Sequence, residues 1–369
     1  MADNQFYTLP VKNVTKETPQ AVTVTFEVPS EYKETFEYEA GQYLTLKFNL
    51  KGDDVRRAYS MCSSPIEEEL AVTVKQVERG LVSTHINQNL RAGDQVEVLP
   101  PEGKFIAEAD PAINKTYYLI GAGSGITPLM SIIKTILEKE PQSSVFLLYG
   151  NRNEDSIIFD EQLKELQRRY SGQLVVEHIL SQPKKEKKKG FSGMFSKGKI
   201  SWQGQVGRIG AKTIKDFLSK NPKRSQQAEY YLCGPSGMLE VAQRTLSNQG
   251  IAKENVHVEY FGSGETKKAE ASGVVAGGGA SVTVHLNGET INVQVPEGKT
   301  ILDTLVKEGY DPPYSCTSGA CSTCLAKTIS GSVKMDVYYA IDDDEVEEGF
   351  ILACQAHPTT SEVEVTFEV

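Results

Sequence analysis

The 369-residue chain contains one tryptophan, five histidines and six cysteines. No apolar run reaches the roughly 18 residues that a membrane-spanning helix requires, so helical insertion is not expected. The opening stretch MADNQFYTLPVKNV has neither a basic leader nor an apolar core, which sets aside a secretory signal and makes the cytoplasm the expected compartment. Thiols stay reduced there, so clustered cysteines point to metal or redox chemistry before disulfides. His85, His178, His257, His285 and His357 are scattered without ligand spacing, and no second metal site follows from them. Cys62 reads as a small buried residue rather than a reactive thiol. At 39% hydrophobic and 24% charged residues the composition is that of an ordinary globular protein, and the length calls for two or three domains.

The formal net charge of −10 is unevenly placed: from Ser281 onward there are 15 acidic residues against 4 lysines, while the preceding 280 residues are nearly neutral. An acidic tail behind a neutral body argues against nucleic acid as a partner. Residues 263–280, within the run GSGETKKAEASGVVAGGGA, are rich in Gly, Ala and Ser and read as a flexible linker. In the tail, Val282, Val284 and Leu286 alternate with polar residues, Asn287-Gly288 supplies a tight turn, and Ile291, Val293 and Val295 resume the alternation, which predicts a hairpin. The segment PEGKTILDTLVKEG predicts a helix after it, with Pro near its start and Gly309 past its end.

Three of the six cysteines fall within CTSGACSTC. Cys316-x4-Cys321-x2-Cys324, with Cys354 further on, is plant-type spacing for a [2Fe–2S] cluster. The intervening Thr317, Ser318, Gly319 and Ala320 are small, so backbone amides can turn toward sulfur. A structural zinc site also takes four thiolates, but zinc ribbons usually carry two paired C-x2-C knuckles and only one such pair is present. Residues 281–369 resemble a plant-type ferredoxin, and the resemblance implies a β-grasp fold.

A ferredoxin passes single electrons, so a donor is needed upstream. In YYLIGAGSGITPLMSIIK a hydrophobic strand ends at Ile120, Gly121, Gly123 and Gly125 follow, and an amphipathic helix begins by Met130, an arrangement suited to a pyrophosphate. These glycines do not fit G-x-G-x-x-G, so packing alone is the competing explanation. VFLLYG, QLVVEHIL and AEYYLCGP supply further buried strands between helical patterns, predicting an open parallel sheet over residues 111–262. Residues 121–127 (Thr127 among them), Asn151, Arg152, Ser181 and Cys233-Gly234-Pro235 then fall at the carboxyl ends of strands, where ligands bind such sheets.

Residues 1–110 contain short alternating strands, AVTVTFEV, YLTLKF and LAVTVKQV, which predict an antiparallel barrel. Arg57-Ala58-Tyr59-Ser60 fits the R-x-Y-S element of the ferredoxin–NADP reductase superfamily, Gly80 to Ser83 its G-x-x-S element, and PEGKF at 101–105 its closing turn. The chain resembles three-part members of that family: FAD barrel, NAD(P) domain, then carboxyl-terminal ferredoxin. Among these are the reductase components serving the phenylacetyl-CoA oxygenase system and other hydroxylases and desaturases. The resemblance implies that Arg57 meets the flavin diphosphate, Tyr59 packs on the ring system and the Ser60 hydroxyl faces the reactive ring nitrogen. It places Gly80 and Ser83 under the pyrophosphate, the Cys233 segment by the nicotinamide as a contact rather than a nucleophile, and Glu259 and Phe261 near the flavin. It further implies that electrons pass from NAD(P)H through FAD and the cluster to a partner oxygenase, hydroxylase or desaturase. A stand-alone diaphorase, an oxygen- or nitric-oxide-linked reductase, and a non-catalytic redox sensor are the alternatives.

Coenzyme choice leans toward NADPH, because Asn151 and Arg152 follow the second strand in place of an acid that would clasp a ribose hydroxyl. Ser181-Gln182 replaces the family's common Ser-Arg pair, which weakens the case for a phosphate site. The acids from Asp342 to Glu348 suggest an electrostatic docking face beside Cys354. Within the long insertion at 182–202, lysines alternate with Phe191, Met194 and Phe195. Its segment 184–199 could grip an anionic membrane surface, close over the coenzyme phosphate, or be a solvated loop without a role.

Overall fold

The computed structural model describes residues 5–186, 199–261 and 279–369. Residues 262–278, which hold most of the linker expected at 263–280, and residues 187–198 of the insertion lie outside the described residues.

The front unit is an antiparallel sheet of β1 (Tyr7–Thr18), β2 (Ala21–Phe26), β3 (Tyr43–Leu50), β4 (Asp53–Ser60), β5 (Leu70–Lys75) and β6 (Gln95–Val98). Its order is β4-β3-β6-β1-β2-β5, and a Met61–Val72 bridge joins the two edges into a barrel. Alternation explains the closure: Leu9, Val24, Leu44, Leu46 and Val72 point inward and are fully buried. Lys51 and Gly52, both left-handed at φ 59° and 92°, make the two-residue turn that fixes the β3–β4 register. Helix α1 (Leu81–Gln88) packs on β5 and contributes Val82 and Ile86 to this core.

The second unit contains β7 (Lys115–Ala122), α2 (Ile126–Lys139), β8 (Ser144–Asn151), α3 (Asp160–Arg169), β9 (Leu174–Leu180), the two-residue strands β10 (Lys185–Glu186), β11 (Lys199–Ile200) and β12 (Gln205–Val206), α4 (Ala211–Lys220), β13 (Gln227–Gly234), α5 (Ser236–Ser247) and β14 (Val256–Tyr260). The main sheet runs β12-β9-β8-β7-β13-β14 with every pair parallel. Both faces are covered, so β7 and β8 read as unbroken hydrophobic runs rather than alternating ones. Tyr117, Leu119, Val145 and Leu147 face α2 and α3, whereas Tyr118, Ile120, Phe146 and Leu148 face α4 and α5. Strand order reverses between β7 and β13, which opens the ligand crevice at their carboxyl ends.

Helix α2 begins at Ile126, earlier than the sequence pattern suggests, and is buried nearly all round rather than amphipathic. The reason is a second partner: its outer face packs on Ala40, Cys62, Ala71 and Phe105 of the barrel. Ser64 and Thr135 hydroxyls also pair across this contact at 2.7 Å.

The third unit has β15 (Ala280–Leu286), β16 (Glu289–Val295), α6 (Ile301–Lys307), β17 (Leu325–Ser330), β18 (Val333–Met335), α7 (Asp343–Glu347), β19 (Phe350–Leu352), β20 (Ala356–Pro358) and β21 (Glu362–Thr366). The sheet order β16-β15-β21-β17-β19, with β15 and β21 parallel and α6 packed on the sheet, is a β-grasp. The turn at Asn287-Gly288 stands as the sequence predicts. The start of α6 is set by Thr300, whose hydroxyl accepts the Asp303 N–H at 3.0 Å, not by the earlier proline.

Because α2 serves two cores, Ile132→Ala should remove contacts in both and lower stability by about 2–5 kcal/mol. Lys139→Ala, at the exposed end of the same helix, should change it by less than about 0.5 kcal/mol. Urea unfolding midpoints of the two variants check this.

Candidate active site where three units meet

Strand β4 brings Ser60 to the crevice of the second unit, while Arg57 and Tyr59 lie on its other face, opposite Leu46 and Leu44, where Tyr59 packs against the barrel core. The Ser60 hydroxyl donates to Glu259 Oε2 at 3.2 Å, and Cys233 Sγ lies 3.9 Å from the same oxygen. Glu259 and Cys233 are direct cross-strand neighbours on β14 and β13. Three residues from two units, 60, 233 and 259, are thus brought to one point. The Glu259 residue keeps some exposed surface, but its carboxyl is enclosed, and burial raises it to about 8. Burial, with Glu259 beside it, also pushes the Cys233 thiol well up, so it is a neutral wall rather than a nucleophile. Phe261 is partly buried against the shared α2 core.

Arg57 donates to the Arg56 carbonyl at 2.7 Å and pairs with no carboxylate among the described residues, which suits a phosphate partner. Gly80 caps α1, and a Cβ there would lie 2.5 Å from Ser83 Oγ. Ser83 closes this turn by accepting the Val77 N–H at 3.1 Å.

The three glycines after β7 divide in role. A Cβ on Gly125 would fall 2.1 Å from the Cys233 carbonyl oxygen, and one on Gly121 would fall 2.6 Å from Leu129 Cδ1. Both are required by close packing. Gly123 is left-handed at φ 57°, held by the Tyr149 hydroxyl at 2.9 Å, and its Cα side faces Lys75 Nζ. Thr127 caps the turn by donating to the Ser124 carbonyl at 3.0 Å. Lys75, at the end of β5, was not picked out from the sequence; its only local signal is a lysine closing a strand just before the G-x-x-S turn. Burial and the nearby Arg152 guanidinium both lower its pKa. Neither cation has a carboxylate partner among the described residues, so the pair and the Gly123 turn are chemically suited to an anion. Ser181 follows β9 and donates to the Asn151 carbonyl. In the insertion, Lys184 is committed elsewhere: its ammonium lies 2.6 Å from Asp155.

In the third unit, Cys321, Cys324 and Cys354 are buried and Cys316 is partly exposed. Cys316 lies beside Cys321 and Cys354, and Cys354 beside Cys324. The four sulfurs form a chain of neighbours. Backbone N–H groups of Cys316 and Ser318 reach Cys321 and Cys316 sulfur at 3.4 Å each, and Gln355 Nε2 reaches Cys354 at 3.5 Å. This donor set fits a two-iron cluster whose thiolates are stabilised by amides. The loop rests against β3. The Tyr43 and Thr323 hydroxyls are 2.9 Å apart, Thr323 donates to Glu102 at 2.8 Å, and Thr45 donates to Ser315 at 2.8 Å. Tyr43 is also the ladder partner of Ser60, so cluster loop and crevice share one hairpin.

Residues 8–106 match the oxidoreductase FAD-binding domain family, 119–244 the oxidoreductase NAD-binding domain family, and 284–359 the 2Fe-2S iron-sulfur cluster binding domain family. The chain is 35% identical over 364 residues to a subunit of 1,2-phenylacetyl-CoA epoxidase from Escherichia coli K12, covering 98% of both proteins. The chain belongs to the three-domain oxygenase reductases. This reductase is also 33% identical to the ferredoxin reductase component of 3-ketosteroid-9-alpha-monooxygenase from Rhodococcus rhodochrous, over 97% of its own length and 96% of the relative's. Its fold is that of phthalate dioxygenase reductase, with a TM-score of 0.62, 22% identity, and 99% and 98% of the two chains covered. The reductase is an oxidoreductase that uses NAD(P)H, FAD and a [2Fe–2S] cluster and delivers electrons to an oxygenase component. Among its described residues no helix is long and apolar enough to cross a membrane.

The raised Glu259 carboxyl has a consequence for stability. Between its ordinary value of 4.5 and about 8 the folded protein holds a proton that the unfolded chain gives up. Its contribution is therefore complete at low pH and is lost as pH rises through that window. Glu259→Gln should flatten the fall in unfolding midpoint that the wild type shows from about pH 5 to about pH 8; parallel curves would contradict the assignment.

Proposed function

We propose that the reductase takes a hydride from NADPH in preference to NADH and feeds single electrons to a multicomponent oxygenase in the cytoplasm. The carrying observation is the junction of Ser60, Glu259 and Cys233 beside the hairpin on which the cluster loop rests. Residues 1–110 form the FAD-binding part, 111–262 the NAD(P)-binding part and 281–369 the ferredoxin part, with Ala280 already in its first strand rather than in the linker that begins at 263. FAD, when bound, accepts two electrons together and releases them singly, which matches a cluster that takes one at a time. Around it, Arg57 holds diphosphate, Tyr59 stacks, Ser60 offers a hydroxyl donor, and the turn from Gly80 to Ser83 supports pyrophosphate. Cys233, Gly234, Pro235, Glu259 and Phe261 wall the nicotinamide pocket. Gly121 and Gly125 shape the coenzyme turn, Gly123 and Thr127 present it, and Lys75 with Arg152 receives phosphate. Ser181 lines the far end of the same crevice.

The acidic face near Cys354 steers a basic acceptor surface, but only part of the run is available for it. Glu345 pairs with Lys104 at 2.9 Å, Asp342 caps α7, and Asp343 accepts the Tyr338 hydroxyl, leaving Asp344, Glu347 and Glu348 outermost. The relatives' names connect them to an epoxidase and a monooxygenase, and an acceptor of that oxygenase type is the one proposed for this chain.

Cys321→Ser should abolish the cluster absorbance and electron delivery to the oxygenase while NADPH still bleaches the flavin. Delivery surviving in that variant would contradict the path. For coenzyme choice, Arg152→Ala should raise KM for NADPH far more than KM for NADH in a ferricyanide assay. Equal changes, or a wild-type preference for NADH, would refute the phosphate role of Arg152.

A further inference from the structure

The ferredoxin unit sits on one face of the β3–β4 hairpin, and the contacts are unequal in kind. Antiparallel pairing puts Lys47 opposite Arg56, Thr45 opposite Ala58 and Tyr43 opposite Ser60, so these side chains share a face. Thr45 and Tyr43 make hydroxyl contacts to Ser315 and Thr323. Arg56 does more. Its side chain is only 6% exposed, its guanidinium lies 4.8 Å from the Phe6 ring centre and 4.4 Å from that of Tyr314, and Nη2 reaches Asp311 at 2.5 Å. Its Nε and Nη1 are shut off with no acceptor among the described residues.

A buried charge with two unmatched N–H groups is costly unless something specific offsets it. Here two aromatic faces and one carboxylate do so, and two of those three partners, Tyr314 and Asp311, belong to the ferredoxin unit. A planar guanidinium suits this slot because it stacks and is weakly hydrated. Tyr314 is two residues before the ligand Cys316, and Arg56 immediately precedes Arg57. Fixing Arg56 against Tyr314 therefore fixes the start of the cluster loop relative to the flavin-binding strand.

We infer that Arg56 is the positioning residue that locks the ferredoxin unit, and with it the cluster loop, onto the flavin-binding hairpin. It acts on the distance between two redox centres and has no part in binding either. The inference rests on the reading that electrons pass from flavin to cluster within one chain, and the two rates below separate the two ideas.

The test uses full-length protein loaded with FAD and cluster, mixed anaerobically with NADPH. In Arg56→Met, flavin reduction should keep the wild-type rate, while cluster reduction should slow by roughly tenfold or more, the penalty for a small misplacement of reacting centres. Arg56→Lys, which keeps a cation between the rings, should recover much of that loss. Hydrogen exchange gives a readout independent of turnover: amides of residues 311–324 should exchange faster in Arg56→Met, with those of β7 and β8 unchanged. If Arg56→Met does not retain FAD, Tyr314→Leu removes the ferredoxin half of the slot and should give the same two signals. Cluster reduction and exchange both at wild-type levels would overturn the inference. Slowed flavin reduction with FAD retained would also overturn it, by placing Arg56 in the flavin site. A wild type whose cluster never follows its flavin would instead refute the electron path.

Discussion

Everything in this protein turns on a two-stranded hairpin whose successive side chains face opposite ways. One face of β3–β4 carries Tyr43, Thr45 and Arg56 into the ferredoxin unit, and the neighbouring positions Leu44 and Leu46 fill the barrel core. The same strand ends in Ser60, which reaches Glu259 of the parallel-sheet unit. A single register, set by the Lys51-Gly52 turn, thus aligns three units. A one-residue slip would send every one of these side chains to the wrong side.

The chemistry of the crevice follows from burial. Glu259 and Cys233 are enclosed at the junction of the barrel and the parallel-sheet unit, and enclosure holds both in their neutral forms near pH 7. Charge is placed instead at the rim, where Lys75 and Arg152 stand near the Gly123 turn. A neutral junction with cations to one side would suit a pyridine nucleotide, anionic at one end and flat at the other.

Much of this was legible in the sequence because it is local. The spacing of Cys316, Cys321 and Cys324, the Arg57-to-Ser60 strand and the Asn287-Gly288 turn each lie within a few residues. What could not be read depends on contacts hundreds of positions apart. Arg56 meets Asp311, and Tyr43 meets Thr323, with no pattern linking them along the chain. The all-round burial of α2 misled for the same reason, since its second partner is the barrel. For the glycines at 121 and 125 the sequence left phosphate contact and packing both open, and only the fold shows that the strand end at Cys233 and the side chain of Leu129 leave no room for a side chain there. The acidic run shows the same limit: Glu345 turns inward to Lys104, and only the fold reveals it.

The central claim is that one folded chain joins hydride acceptance to single-electron delivery across this hairpin. Anaerobic rapid mixing with one equivalent of NADPH, following the flavin band together with the paramagnetic signal of the reduced cluster, tests it most directly. The account predicts that cluster reduction follows flavin reduction with a first-order rate that does not change as the protein is diluted. A rate that falls in proportion to protein concentration would mean that electrons cross between molecules, and would contradict it.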